Sequence, residues 1–320
     1  MRRINLAMVG VASCALFLIF RGIDWSALSN SLKVAKWYWA LLVVPYGVTC
    51  FFWTLAWRLL LVADTGTPRL PRMFFLRLAG ESLNQLTPTV SLGGEPFKAL
   101  RLKADGVPWQ QAAASLIIHK AVTVASLILY ILTGLAFIPL TLQGLSPRLA
   151  LFGCLGATLL GGGGLLFVML QRRSPCLSFL KLLKRTRHCP AALAAREREL
   201  ASLDEVLTAF YRDHAGRGLL ALCCLFLGWL VHAGEVSLVF WLLGHPIPAG
   251  VAISLDALSQ LVAGLGFMIP ASLGVQDAGT ILLTLGFKLG SSLGAGFSIA
   301  RRVREAFWLL LGVLVAAREK

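Results

Sequence analysis

Acidic residues are scarce in this sequence. Asp and Glu number 15 against 30 Lys and Arg in 320 residues, and none falls between Gly106 and Arg196. Charge of either sign occupies only 14% of positions, while 57% are hydrophobic and the mean hydropathy is +0.76. Such a composition excludes a single soluble core, which could not bury that much apolar surface, and makes lipid the solvent. No G-x-x-x-x-G-K-[ST] stretch occurs, so the sequence offers no P-loop for ATP. The run from Gly161 to Gly164 lies inside a hydrophobic span, where close helix packing accounts for it better than phosphate binding. No small-x-small cleavage pattern follows the first apolar run, Leu6 to Phe20, although Arg2 and Arg3 precede it. That run therefore reads as a retained anchor helix rather than a signal peptide.

What is present is a series of long charge-free runs: Leu6 to Phe20, Trp37 to Trp57, Ala121 to Pro147, Leu149 to Gln171 and Gly218 to Gly234, with further apolar stretches to Ala317. Most approach the roughly 20 residues a helix needs to cross hydrocarbon. The expected fold is an all-α polytopic membrane protein of about six to eight transmembrane helices. Of the seven cysteines, Cys14, Cys50, Cys154, Cys223 and Cys224 lie in apolar runs, where thiols pack as small hydrophobes. Cys176 and Cys189, the latter beside His188, read as free thiols of a reducing loop rather than as a metal or disulfide pair.

The net charge of +15 is unevenly spread, with Arg172, Arg173, Lys181, Lys184, Arg185 and Arg187 in one loop. Anionic lipid headgroups are the partner this implies, and nucleic acid is not. Basic residues accumulate on the cytoplasmic side. Arg2 and Arg3, the stretch from Arg69 to Lys103, the loop from Arg172 to Arg217, and Arg318 with Lys320 all point inside. Both termini are expected in the cytoplasm and the chain in the cell inner membrane. Between Arg196 and His214, Leu200, Leu203, Leu207 and Phe210 recur at helical spacing, the pattern of an amphipathic helix. The expected organisation is a single membrane domain: an anchor and linker over 1–36, a first half over 37–170, a basic connector over 171–216 and a second half over 217–320.

Each half contains one segment too polar and too broken for an ordinary spanning helix. Gly80 to Lys103 reads GESLNQLTPTVSLGGEPFKALRLK, and Gly264 to Gly279 reads GLGFMIPASLGVQDAG. Pro270, Gly274, Gln276 and Asp277 echo Pro88, Gly93, Gly94 and Glu95. A broken helix at membrane depth persists only where protein covers it or it lines a wet cavity. Re-entrant hairpins over 77–104 and about 252–297, in two inverted repeats, are the expected arrangement, and paired broken segments of this kind mark a transporter's substrate site.

A half-helix starting near Gly94 aims free N–H groups and its positive dipole end at such a site, which suits an anion. Lys98 and Arg101 stand further along it, able to contact a phosphate. Glu95 is either the cap of that half-helix or a coupling carboxylate. His119 and Lys120 lie about ten residues, roughly 15 Å, into a span that begins near Gln110, so Lys120 should face a cavity or a carboxylate. Glu235, Asp256 and Asp277 are the acidic counterparts in the second half. Arg301, Arg302, Arg304 and Glu305 open the last span, at depth if it begins near Phe297 and at the interface if it begins at Val303.

The stretch G-E-S-L-N-Q-L-T-P-T-V-S-L-G-G-E-P-F-K-A-L-R-L resembles the flippase-like membrane domain of lysylphosphatidylglycerol synthases and its stand-alone relatives, among them the membrane protein encoded with hopanoid biosynthesis. The family pattern lands on Asn84, Pro88, Gly93, Gly94, Glu95, Lys98 and Arg101, and its second landmark on Pro270, Gly274, Gln276 and Asp277. The resemblance covers roughly Trp37 to the C-terminus. It implies movement of an anionic or isoprenoid-type lipid between the leaflets of a bacterial inner membrane, with no catalysis and no cofactor. The soluble acyltransferase domain of bifunctional relatives has no room in this chain. Lys98 stands where relatives often carry Arg, and His119 with Lys120 where an acidic-basic pair is expected, which leaves the headgroup open.

The expected substrate site is Asn84, Pro88, Gly93, Gly94, Lys98, Arg101, Lys120, Pro270, Gly274, Gln276, Arg301 and Arg302. Glu95, Glu235 and Asp277 are the expected coupling or gating groups. Membrane lipids are the expected partners, with a second copy of the chain or a separate lipid-biosynthetic enzyme as protein partners. The rival reading is a membrane-embedded transferase or accessory subunit in lipid modification or hopanoid biosynthesis, drawing on Glu81, Glu95 and His119.

Overall fold

The computed structural model describes residues 40–63, 66–86, 93–141, 155–156, 158–164, 166, 175–185, 197–265 and 274–318. The expected anchor helix of residues 6–20, both prolines Pro88 and Pro270, and most of the expected span over 149–171 lie outside them. Every regular element among the described residues is helical. The first half comprises α1 (Val43–Leu60), α2 (Leu70–Leu86), α3 (Gly94–Ala104) and α4 (Trp109–Thr141). Then come α5 (Pro175–Arg185) and α6 (Glu197–Asp213), and the second half comprises α7 (Ala215–Leu242), α8 (Ala249–Leu265), α9 (Val275–Gly286) and α10 (Ser291–Arg318).

By length and composition, three helices among the described residues can cross a membrane: Ala40–Leu60, Trp109–Thr141 and Ala215–Leu242. α8 is apolar but shorter. α10 has 28 residues, and Arg301, Arg302, Arg304 and Glu305 within it set it apart by composition. α7 corrects one boundary. The charge-free run stops at Gly234, yet the helix continues to Leu242, because the Glu235 carboxylate meets Arg304 Nη1 at 2.9 Å inside the protein. A neutralised carboxylate no longer ends an apolar helix.

The helices of the two halves pack in matching pairs. Exchanging α1 with α7, α2 with α8, α3 with α9 and α4 with α10 carries each principal packing partner onto another one, so that α4 on α8 becomes α10 on α2. α1 and α7, which exchange with each other, are the most extensively packed pair. They run antiparallel: Thr49 Oγ1 donates to the Gly228 carbonyl and, one turn further along α1, Trp53 Nε1 donates to that of Leu225, one turn earlier in α7.

A serine-to-carbonyl bond joins each of these two helix pairs, at different heights along them. Ser254 Oγ of α8 donates to the Gly134 carbonyl of α4 at 2.8 Å, and Ser82 Oγ of α2 donates to the Leu309 carbonyl of α10 at 3.2 Å. Small residues let these backbones approach. A Cβ on Gly312 would overlap Ser82 Oγ, and one on Gly134 would overlap the Ala257 Cβ. The cores repeat as well. Trp57, Met73, Leu76, Leu102 and Leu116 from α1 to α4 form one cluster, and Phe240, Leu255, Phe287, Phe297 and Ala300 form its partner in the second half.

Within each half the two broken helices lie antiparallel. Arg72 at the start of α2 holds Asp105, just past the end of α3, through Nε–Oδ2 at 2.9 Å and Nη2–Oδ1 at 3.2 Å. Halfway along, a Cβ on Gly94 would overlap the Gly80 carbonyl oxygen, so only glycine lets α3 begin there. In the second half, Ala252 and Leu255 near the start of α8 pack with Phe287 beyond the end of α9, while Gly279 lies against Val262.

The connector is amphipathic, as its spacing predicts. Leu207 and Phe210 of α6 are buried against Ala56 and Leu60 of α1 and Ala114 and Ile118 of α4. Asp204, also buried, accepts the N–H groups of Cys176 and Leu177 at 3.0 and 2.8 Å and so caps α5 from a distance. Burial together with this carboxylate pushes the Cys176 thiol up to about 12. A thiol held protonated is a poor metal ligand. Cys189 and His188 lie outside the described residues. Of the Gly161–Gly164 run, Gly164 sits against Ile128 of α4, where a Cβ would be 2.7 Å from Cδ1, while Gly162 and Gly163 have open space around them, so close packing accounts for Gly164 and not for the whole run.

Candidate functional site

The charged residues that the sequence scatters along the chain converge on the contact between the halves. In the first half the site begins at the start of α3. Asn84 Oδ1 accepts the Gly94 N–H at 2.7 Å, and the same side chain bonds Glu81. Asn84 is thus the group that meets the first amide of α3. Glu95, which the sequence leaves between capping and coupling, pairs instead with Lys98 at 2.8 Å. Lys98 is 3% exposed and lies 5.6 Å from the centre of the Trp57 ring. Desolvated cations are stabilised by such a face. Glu81 is within electrostatic reach of Arg77, Lys98 and Lys120, and Arg77 lies 5.0 Å over the Trp53 ring.

In the second half the start of α9 has a different cap. Gly274 adopts φ 83°, a conformation glycine reaches without cost, and its N–H donates to Asp277 Oδ2 at 3.0 Å. The same carboxylate takes Ser298 Oγ at 2.5 Å and a two-pronged contact from Arg302, Nε at 3.0 Å and Nη2 at 2.8 Å. Arg302 also reaches Glu305 at 2.8 Å.

Between these two ends runs a buried polar chain across α7, α8 and α10. Asp256, fully buried, accepts Tyr130 Oη at 2.7 Å, His232 Nδ1 at 2.9 Å and Gln260 Nε2 at 3.3 Å, with Arg301 Nη2 at 3.7 Å. Arg301 also donates to Ser259 Oγ at 3.0 Å. Arg304 Nη1 lies 2.9 Å from Glu235 Oε2 and 3.3 Å from His232 Nε2, and its guanidinium stacks 4.3 Å over Tyr46 of α1. α10 begins at Ser291, so Arg301 and Arg304 stand well inside the helix and are buried in the protein.

The two charged sets meet at a small cavity between α1, α2 and α10. Tyr46, Arg77, Glu81, Gln85, Glu305 and Trp308 are among its lining residues. Arg77, Glu81 and Gln85 share one face of α2 at four-residue spacing, and Glu305 and Trp308 share one face of α10. The cavity volume is about 20 Å³, room for roughly one water. Two of its lining residues carry buried N–H donors, Arg77 Nη1 and Trp308 Nε1, that have no hydrogen-bond partner among the described residues, and Arg304 Nε beside Tyr46 is a third such donor. An unsatisfied buried donor costs about 1–3 kcal/mol, so an acceptor placed here would be stabilised. Among the described residues no cluster of His, Cys, Asp and Glu is arranged to hold a metal ion.

Of the expected site residues, Asn84, Gly93, Gly94, Glu95 and Lys98 gather at the start of α3, and Gly274, Gln276, Asp277 and Arg302 at the start of α9. Glu235 and Arg301 join the polar chain between them. Arg101 stands in the last turn of α3 with its guanidinium 5.5 Å over Phe97. Lys120 is exposed on α4, and Pro88 and Pro270 lie outside the described residues. Sequence reasoning passed over Arg77, His232, Tyr130 and Tyr46. Signals for the first two were present: Arg77, Glu81 and Gln85 recur every fourth position, and His232 precedes Glu235 by three in an otherwise apolar run. Tyr46 and Tyr130 carry no such signal, since an aromatic in an apolar helix is ordinary core.

No solved structure matches the chain. A UPF0104 membrane protein of Methanothermobacter thermautotrophicus is 31% identical over 116 residues, 36% of this chain and 32% of that protein. The matched segment therefore spans about a third of the relative's length. The family model described as the lysylphosphatidylglycerol synthase TM region matches residues 5–312, nearly the whole chain. With its charged interior and apolar helices, the chain belongs to the lysylphosphatidylglycerol synthase TM region family of membrane proteins.

Proposed function

We propose that this protein is a lipid translocase that passes an anionic lipid headgroup between leaflets through the polar chain joining its two halves. The observation that carries the reading is the cluster of buried, unpartnered N–H donors of Arg77, Arg304 and Trp308 at the contact of α1, α2 and α10. Ionisable groups at membrane depth are costly and mark a substrate or ion path. Their donors suit a phosphate, and their place between two exchange-related halves suits alternating exposure by rocking. In this reading α2 with α3 and α8 with α9 are re-entrant pairs of two inverted repeats, entering from opposite leaflets. The Arg72–Asp105 clasp, which brings the start of α2 to the end of α3, supports a first pair that enters and leaves on one side, the cytoplasmic face of the inner membrane in this reading. With room for about one water, the cavity is closed to a headgroup, which enters when the halves part.

The test is leaflet transfer of a fluorescent phosphatidylglycerol in liposomes holding the purified protein, followed by quenching from outside. Losing one charge-assisted contact, about 1.5–3 kcal/mol, slows transfer roughly 10- to 100-fold. Arg77→Gln and Lys98→Ala each test one such contact. Wild-type rates in both would remove the proposed headgroup site. Mass spectrometry of co-purified lipids identifies the headgroup. The transferase reading draws on Glu81, Glu95 and His119 as acid and base, and a chemically altered lipid without leaflet transfer would decide for it.

A further inference from the structure

His232 is the one imidazole in the polar chain between the halves, and its two nitrogens meet opposite kinds of group. Nδ1 faces the Asp256 carboxylate at 2.9 Å, an acceptor. Nε2 faces Arg304 Nη1 at 3.3 Å, which can only donate. The ring must therefore be neutral, with its hydrogen on Nδ1 and a bare Nε2 accepting from Arg304. Asp256 fixes this tautomer, because Tyr130, Gln260 and Arg301 surround its oxygens and leave His232 as one more donor.

We propose that His232 Nε2 is the proton-binding site through which lipid translocation is driven. The inference rests on the translocase reading above. A proton arriving from water at Nε2 turns that nitrogen into a donor and the ring into a cation, 3.3 Å from the Arg304 guanidinium. Two donors cannot share that contact, and two cations repel at that range, so Arg304 must leave His232. Arg304 already lies over Tyr46, which lines the cavity, so the displaced guanidinium turns toward the chamber where Arg77 and Trp308 present unpartnered donors. Protonation thereby offers a further positive group to an anionic headgroup. Loss of the proton on the other side withdraws it.

The groups facing His232 from each packed helix fit this role. Tyr46 of α1 lies edge-on with ring centroids 6.3 Å apart, Tyr130 of α4 and Asp256 of α8 hold the Nδ1 side, and Glu235 of α7 holds Arg304. Arg301, Arg304 and Glu305 come from α10, with Arg77 and Glu81 of α2 beyond the cavity.

The experiment uses the full chain in liposomes with a labelled phosphatidylglycerol, an imposed pH gradient and a pH-sensitive dye trapped inside. With one proton moved per lipid, each unit of gradient changes the steady-state leaflet ratio about tenfold, and the dye reports a proton flux that requires the lipid. In His232→Gln the amide N–H can still donate to Asp256 and its oxygen can still accept from Arg304, but no proton binds. The variant is expected to lose both the gradient-dependent ratio and the lipid-dependent proton flux. A gradient response in His232→Gln equal to wild type overturns the proposal. Wild-type transfer that ignores the gradient and moves no protons overturns it while leaving the translocase reading intact, and no wild-type transfer at all overturns both. Nitrogen NMR of histidine-labelled wild-type protein checks the tautomer without any variant. The resonance lost in His232→Asn should be that of a ring protonated at Nδ1 at neutral pH, and a ring protonated at Nε2 would overturn the assignment.

Discussion

Replacing Glu235 by Gln removes one charge from the pair that lets α7 run on through an ionisable residue. The Arg304–Glu235 contact is 2.9 Å, with the side chains 3% and 4% exposed. At an effective dielectric of about 20, two unit charges at that distance attract by roughly 6 kcal/mol, much of it offset by desolvation. Removing one partner of a buried pair leaves the other uncompensated, at a cost of about 3–5 kcal/mol. Arg304 keeps Glu305 at 3.4 Å and the face of Tyr46, so the lower end, about 3 kcal/mol, is expected. Unfolding in mixed detergent and dodecyl sulfate micelles, followed by tryptophan fluorescence, measures it. A double-mutant cycle with Arg304→Gln should return a coupling of at least about 2 kcal/mol. A loss within about 0.5 kcal/mol of wild type, the range of an ordinary surface substitution, would refute the claim that this pair stabilises α7 against α10.

Gly94→Ala forces a Cβ into the Gly80 backbone, which has no flexible end to move, and should cost about 1–3 kcal/mol in the same titration, whereas Gly216→Ala, with open space around it, should not destabilise. Ser254→Ala and Ser82→Ala remove bonds in two corresponding helix pairs and should each cost about 1 kcal/mol, adding when combined because the sites share no partner. Asp204→Ala removes the acceptor of the Cys176 and Leu177 amides, about 0.5–2 kcal/mol of local stability, read as faster hydrogen exchange at those two amides. With its pKa pushed from 9.0 to about 12, the Cys176 thiol stays protonated until well above pH 9. Its alkylation at pH 8, read by mass spectrometry, should run roughly 1,000-fold slower than at an unperturbed thiol, and Asp204→Asn should speed it.

The membrane class, the amphipathic connector and the two broken segments were readable from the chain because each is local. Hydropathy over about 20 residues reports a crossing, Leu203, Leu207 and Phe210 report a helical face, and a Gly-Gly-Glu-Pro run reports where a helix must restart. The motif around Gly94 also carried the family resemblance, and the match over residues 5–312 supports it. What local pattern could not supply is the pairing. Glu235 reads as the end of a span until Arg304, 69 residues away, is placed beside it, and Lys98 reads as a free cation until Glu95 and the Trp57 face close around it. Asn84, not Glu95, caps α3 because the antiparallel packing of α2 carries its amide to Gly94. The partners of His232 come one from α8 and one from α10, which no spacing in the sequence reveals. Sequence spacing determines which residues share a helix face. Only the packing of one half against the other decides which charge each of those faces meets, because a buried charge is set by neighbours distant in the chain.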